Sequence, residues 1–223
     1  MKSLAVLLAG TALAAGAQAG TVSFNFSNAQ QTTEINQTGN LGLFDNNLGI
    51  LTGVSLSFNG ANSTSLTLSN SAQQTQTTNA TSFTDLFFSS SLAGLNSLIL
   101  ASNPVVSLSA TTGSQTIVAG GTKSFGPLTD SDTVTWTSAL ELNGILAEFI
   151  GTGGFSISCA SESGIAIKGG GGNIGSTQAT TAGCGAEITY TYRDRPNDVP
   201  EPGALALVGI ALAGLALARR KAA

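Results

Sequence analysis

Cys159 and Cys184 are the only two thiols in the 223-residue chain, and the chain has no histidine. A nucleophilic thiol needs a base beside it, and histidine is both the usual base and the commonest zinc ligand. Papain-like chemistry is therefore not expected of either cysteine. The other chemistry open to a pair of thiols is a disulfide, which requires an oxidising compartment. A Cys159–Cys184 bridge would close a loop of 24 intervening residues. In the chain-entropy picture a loop of that size stabilises a fold by about 3 kcal/mol.

Oxygen chemistry is the next possibility. Glu141 and Glu148 could be set as the acid and base of a carboxylate-only hydrolase, which needs two carboxyls across one bond. Their flanks, Leu140, Leu142, Ile145, Leu146 and Phe149, read as ordinary folded structure with no sign of a cleft. Asp130-Ser131-Asp132 and Asp45-Asn46-Asn47 offer oxygens that suit Ca²⁺, yet neither has the full ligand loop with its bidentate Glu. Turns built on Asp and Asn side chains account for both. Lys168 followed by Gly169-Gly170-Gly171-Gly172-Asn173 lacks the order of a phosphate-binding loop, and reads as a mobile surface loop. Trp136 and Tyr192 read as core or sheet-face aromatics more readily than as a sugar platform. No catalytic residue, metal site or cofactor is assigned.

Charge narrows the partners. Only 9% of residues are charged, against roughly 25% in ordinary soluble domains. Between Gly20 and Pro202 all twelve acids face only four basic residues, Lys123, Lys168, Arg193 and Arg195. Such a surface repels phosphate backbones, so nucleic-acid binding is not expected. Polarity comes instead from hydroxyls and amides, as in β-rich extracellular domains.

Both ends read as processing segments. Lys2 precedes a short apolar run, Leu4 to Leu13, and Ala17 and Ala19 then give the small-x-small pattern of a signal-peptide cleavage site. Residues 1–19 are expected to be removed, so that the mature chain begins at Gly20. At the other end Pro200-Glu201-Pro202 is followed by sixteen apolar or small residues, Gly203 to Ala218, and then Arg219-Arg220-Lys221. The two prolines bracketing Glu201 give a stiff, extended segment at the end of a linker, 194–202, so that a helix starts only after Pro202. As a helix, 203–218 would be roughly 24 Å long against a hydrocarbon core of about 30 Å. That is a marginal span, aided by basic side chains that snorkel at its end. The basic end, 219–223, is expected to stay cytoplasmic.

VPEPGALALVGIALAGLALARRK resembles the PEP-CTERM sorting signal of Gram-negative bacteria, with its proline-flanked glutamate, apolar helix and basic end in order. The resemblance implies that an exosortase, a membrane-embedded transpeptidase-like enzyme, reads Pro200, Glu201 and Pro202 and removes the tail. These residues are then acted upon; they are not an active site.

The elements between the two ends show period-two alternation. Val22/Phe24/Phe26, Val54/Leu56/Phe58, Leu66/Leu68, Val106/Leu108, Val134/Trp136, Phe155/Ile157 and Ile188/Tyr190/Tyr192 each place apolar residues on one face, as strands half-buried in antiparallel sheets require. Phe58-Asn59-Gly60 and Ser102-Asn103-Pro104 read as turns between them. The expected fold is all-β: an antiparallel β-sandwich of about ten strands over residues 20–193. A short helix is expected near Asp85 to Ser97. The polar tract from Asn70 to Ser82 is either an exposed edge strand, open to self-association, or a solvated loop.

Leu43-Phe44-Asp45-Asn46-Asn47-Leu48-Gly49-Ile50-Leu51-Thr52-Gly53-Val54 is similar to the opening signature of choice-of-anchor E domains. Asp132-Thr133-Val134, Phe149 to Gly153 and Thr189 to Tyr192 follow in the family's order. The resemblance implies an exported module joined to an anchor, with no assigned reaction. The expected function is a non-enzymatic envelope or extracellular-matrix component, handled by secretion machinery and an exosortase, held transiently in the inner membrane by its C-terminal helix, and linked to surface exopolysaccharide or biofilm. The alternatives are a carbohydrate- or calcium-dependent adhesive module and, less favoured, a carboxylate hydrolase.

Overall fold

The computed structural model describes residues 19–103, 105–195 and 209–212. Nine strands, all paired antiparallel in two sheets, lie between Ala19 and Arg193. The first sheet has the order β1-β9-β4-β7, from Ala19–Ser27 (β1), Ile174–Arg193 (β9), Ile50–Asn70 (β4) and Thr122–Thr137 (β7), with the two-residue β2, Gln31–Thr32, also on β9. The second has the order β3-β8-β5-β6, from Asn36–Gly42 (β3), Gly154–Gly169 (β8), Gln76–Ser90 (β5) and Val106–Ile117 (β6). One short helix, α1, spans Ala93–Ala101.

Alternation explains why the sheets pack face to face. Along β4 the inward residues Val54, Leu56, Phe58, Leu66 and Leu68 are buried, while the intervening positions are small and polar. The same holds for Leu86 and Phe88 on β5, Phe155 and Ile157 on β8, and Ile188 and Tyr190 on β9. Two sheets that each hide one face close over a shared core. Trp136 lies inside it, 5.1 Å from the Phe58 ring, and Phe58 in turn lies 4.9 Å from Phe88.

Several sequence expectations need correction. The runs at Val54–Phe58 and Leu66–Leu68 are one 21-residue strand, and the described residues hold nine strands in all. Asn59-Gly60 is not a turn. Gly60 faces the core, and a Cβ there would run into Leu86 Cδ1. A missing side chain serves tight sheet-to-sheet packing at this point, and the turn preference of Asn-Gly is overridden. The helix begins later than expected: Asp85 and Leu86 belong to β5, and α1 starts at Ala93.

The polar tract from Asn70 to Ser82 contains an inner strand. Asn70 closes β4, and its buried amide donates to the carbonyls of Gln74, Ile117 and Val118 at 2.9, 3.0 and 3.1 Å, tying two turns together. From Gln76 onward the tract is β5, paired with β6 on one side and with β8 on the other. Its edges are covered, so it is no site of self-association. The glycine run is a tight turn at the surface. Gly169, Gly170, Gly171 and Gly172 take successive φ values of 91°, 72°, 57° and 81°, turning β8 of one sheet directly into β9 of the other. Four consecutive left-handed residues cost a side-chain-bearing chain about 1–2 kcal/mol each, which is why glycine occupies them.

Candidate functional site

The two cysteines meet across the sandwich. Cys159 sits within β8 and Cys184 within β9, their Cα atoms 6.6 Å apart, and they form a disulfide that joins the two sheets. Both are buried. Each lies in the middle of a long strand. Gln37 of β3 surrounds the bridge on one side: its Oε1 accepts the Cys184 backbone N–H at 3.2 Å, and its Nε2 donates to the Ala29 carbonyl at 2.8 Å.

Each acidic candidate is engaged by backbone. The Glu148 carboxylate accepts the Gly94 N–H through both oxygens, at 3.0 and 2.9 Å, and so caps the first turn of α1. Helix N-termini leave such donors unpaired and favour negative charge. Glu141 accepts the Thr137 N–H at 2.8 Å, closing the turn after β7. Asp45 accepts the Asn47 N–H at 2.9 Å, the side-chain turn its sequence suggests. Asp130 and Asp132 differ from expectation: they lie within β7, not in a turn between strands. Asp130 Oδ2 accepts the Ser109 N–H of β6 at 2.7 Å and fastens the edges of the two sheets together. Among the described residues no group of three or more Cys, Asp or Glu side chains is arranged to hold a metal ion.

The aromatic candidates belong to the packing. Trp136 is 6% exposed, and Tyr192 stacks at 5.4 Å from Phe44. Tyr190 is fully buried and donates its hydroxyl to the Gly42 carbonyl at 2.8 Å. Burial holds its phenol well above the ordinary tyrosine range.

A buried polar layer was not foreseen. Asn62 and Thr64 of β4, Ser82 and Thr84 of β5, and Thr180 of β9 all point inward and are buried. Asn62 Nδ2 donates to Thr84 Oγ1 at 3.0 Å, and Asn62 Oδ1 accepts the Asp130 N–H at 3.0 Å. Thr64 shares hydrogen bonds with Ser82 and Thr180 at 3.2 and 3.0 Å, and Gln178 donates to both of those. The layer separates the main apolar cluster from a smaller one of Leu66, Leu68, Ala80 and Ile117. The available signal was Asn62 and Thr64 at positions that continue the inward period of Val54, Leu56 and Phe58.

The outer face of the first sheet carries two open grooves. One, about 430 Å³, is lined by Ser65, Thr67, Ser124 and Thr177 among others. The other, about 330 Å³, lies over Asn59, Ala61, Ser131 and Gly183. Hydroxyl pairs such as Ser57–Thr135 and Ser23–Thr189, both at 2.8 Å, run between its strands.

Of the predicted processing residues, Ala19 and Gly20 open β1, opposite Arg193 and Tyr192 of β9. Ala17, Pro200, Glu201, Pro202, Arg219, Arg220 and Lys221 lie outside the described residues. Within the apolar tail, residues 209–212 form a helical turn in which Ile210 and Leu212 are exposed. No helix among the described residues is long and apolar enough to cross a membrane.

Residues 198–221 match the PEP-CTERM protein-sorting motif. Among curated proteins, none matches the chain. Similar solved structures include the T13 particle of infectious bursal disease virus, with 9% identity and a TM-score of 0.21 over 92% of this chain and 50% of that one. The Gt strain of the same virus has 11% identity and a TM-score of 0.20, covering 94% of this chain and 53% of the other. The parasporin-2 toxin of Bacillus thuringiensis has 10% identity and a TM-score of 0.17, covering 81% of this chain and 73% of the toxin. The chain spans about half the length of the viral chains it matches. The sorting motif carries weight here; the structural likenesses do not.

Proposed function

We propose that this chain is a non-enzymatic component of the bacterial envelope or extracellular matrix, exported by a signal peptide over 1–19 and released from the membrane when an exosortase acts at Pro200-Glu201-Pro202. The observation that carries the reading is the sorting motif at 198–221, which begins five residues beyond the last strand residue, Arg193. The disulfide supports export, since such bonds persist in oxidising compartments. The similarity of residues 43–54 to choice-of-anchor E domains agrees with a module that is carried on an anchor.

The chemistry of the domain supports a structural role. Glu141 and Glu148 are spent on backbone donors, and the outer face of the first sheet presents hydroxyl pairs. Such a surface suits a hydrated matrix rich in polysaccharide, on the outer side of a Gram-negative cell. The test is fractionation of the producing bacterium, with mass spectrometry of the mature termini, before and after deletion of its exosortase. The expected mature chain begins at Gly20 and lacks the apolar tail, and the deletion strain retains the full tail in its membrane fraction. Tail-bearing protein in the cytosol of both strains would sink the reading.

A further inference from the structure

The two open sides of the sandwich are guarded unequally. On one side the edges are β7 and β6. β7 carries Lys123, Pro127, Asp130 and Asp132, and its register with β4 shifts between Thr64 and Leu66. Asp130 also takes the Ser109 N–H of β6. Charges, proline and irregular register are the devices that keep one sheet from extending onto another.

The other side, formed by β1 and β3, has none of them. Neither strand holds a charged residue or a proline; β1 reads AGTVSFNFS and β3 NQTGNLG. Asn28 N–H donates to the Cys184 carbonyl at 3.0 Å, and the register runs on without a shift from Ser27↔Gly185 to Ala19↔Arg193. Hydrogen-bonded pairs alternate along an antiparallel ladder. Counting back from Asn28, the residues Phe26, Phe24, Val22 and Gly20 bond to β9, so Thr21, Ser23, Asn25 and Ser27 turn their N–H and C=O groups away from the sheet. The side chains of those same four residues are exposed. Among the described residues no backbone hydrogen bond joins β1 to β3. Two acids lie near this side: Glu34 is held by Ser161 and Ser163, and Glu187 of β9, the register partner of Asn25, stands one strand in from the edge.

We propose that β1 pairs antiparallel with β1 of a second copy, continuing the first sheet across a twofold axis. The identity of the occupant follows from charge and symmetry. The domain is strongly acidic, so two copies repel over most of their surfaces, but the neutral β1 edges can meet without bringing acids together. A copy arriving with its β7 edge would set Asp130, Asp132 and Pro127 against the same strand. A twofold axis normal to the sheet generates antiparallel pairing of a strand with itself and closes after two copies. This inference stands on the domain alone and is independent of how the tail is processed.

The test has two arms. In the full-length, exported chain the native cysteines are bonded to each other, so a new thiol reports only on its own neighbour. Ser23→Cys or Asn25→Cys is expected to give a disulfide-linked dimer on a non-reducing gel, and Thr135→Cys, on the opposite edge strand, is expected to give none. In the second arm the released protein is followed by sedimentation over a range of concentrations. Ser23→Pro removes an outward N–H while sparing the bonds to β9, and Ser23→Lys keeps that N–H but adds like charges to the pairing edge. Ser23→Pro is expected to weaken dimerisation by about tenfold or more, the factor that one or two lost hydrogen bonds carry, and Ser23→Lys to weaken it by about fivefold through repulsion of like charges. A monomer at every concentration, a dimer unmoved by Ser23→Lys, or equal cross-linking through Thr135→Cys would overturn the proposal.

Discussion

Ala19, the first residue of β1, and Arg193, the last of β9, are register partners in the same sheet. The polypeptide therefore enters and leaves the sandwich at one end, and both predicted processing segments are joined to it there. β9 is also an inner strand, between β1 and β4. The first sheet cannot be completed until the last twenty residues of the domain, Ile174–Arg193, are available.

Cleavage after Ala19 removes one end pair from β1, and cleavage beyond Pro202 leaves the nine described strands otherwise whole. A chain of residues 20–195 contains both apolar clusters and the disulfide. It is expected to melt, by circular dichroism, within a few degrees of the unprocessed chain, the shift that about 1 kcal/mol produces. Ending the chain at Gly183 deletes half of an inner strand, and no cooperative transition is expected.

Reduction of the Cys159–Cys184 bond releases a loop of 24 residues in the unfolded state. The double variant Cys159→Ala/Cys184→Ala is expected to lose about 3 kcal/mol in urea unfolding. The slope of the transition reports whether the unfolded state has expanded as well. An unchanged midpoint would show that the bridge adds nothing to sheet pairing.

The polar layer predicts an asymmetry. Asn62→Ala strands the Asp130 N–H and removes the donor to Thr84 Oγ1, and is expected to cost about 1–3 kcal/mol. Replacing Thr64, Ser82 and Thr180 together by Val, Ala and Val removes hydroxyls that bond to one another and to the amide of Gln178, which is half-exposed and can turn to water. Because few partners are left unsatisfied, the triple variant is expected to cost less than Asn62→Ala. Chemical denaturation of the two variants checks the order.

Tyr190 predicts an alkaline limit. Burial raises its folded pKa above the ordinary value of 10.0, so the folded state keeps the proton longer than the unfolded one. Its contribution is fully present below about pH 10 and is lost as pH rises from there through the folded value. Tyr190→Phe is expected to flatten that decline in a stability-versus-pH series. It also leaves the Gly42 carbonyl unpaired, at a cost of about 1 kcal/mol at neutral pH.

Glu148→Ala removes the carboxylate from the first turn of α1 and is expected to destabilise the domain by about 1 kcal/mol. Glu148→Gln keeps one acceptor and should lose less. Thermal unfolding of the two variants beside the parent measures the difference.

Local chemistry determined where strands run and which of their faces are buried. The alternation of Val22/Phe24/Phe26 and Ile188/Tyr190/Tyr192 marked strands and their buried faces, because a period of two is a property of the strand itself. The cysteine pair and the motif at 198–221 were equally legible, since both are patterns of residue type. Neighbours were not. Nothing near Gly60 in sequence says that Leu86 will press on it, and nothing in Gln76–Ser82 says that two strands will cover it. Strand partners lie far away along the chain: Ser23 and Thr189 share a hydrogen bond across 166 residues. Which edges stay open, where a buried Thr finds its partner, and which acids are engaged were therefore decided only when the two sheets closed on each other.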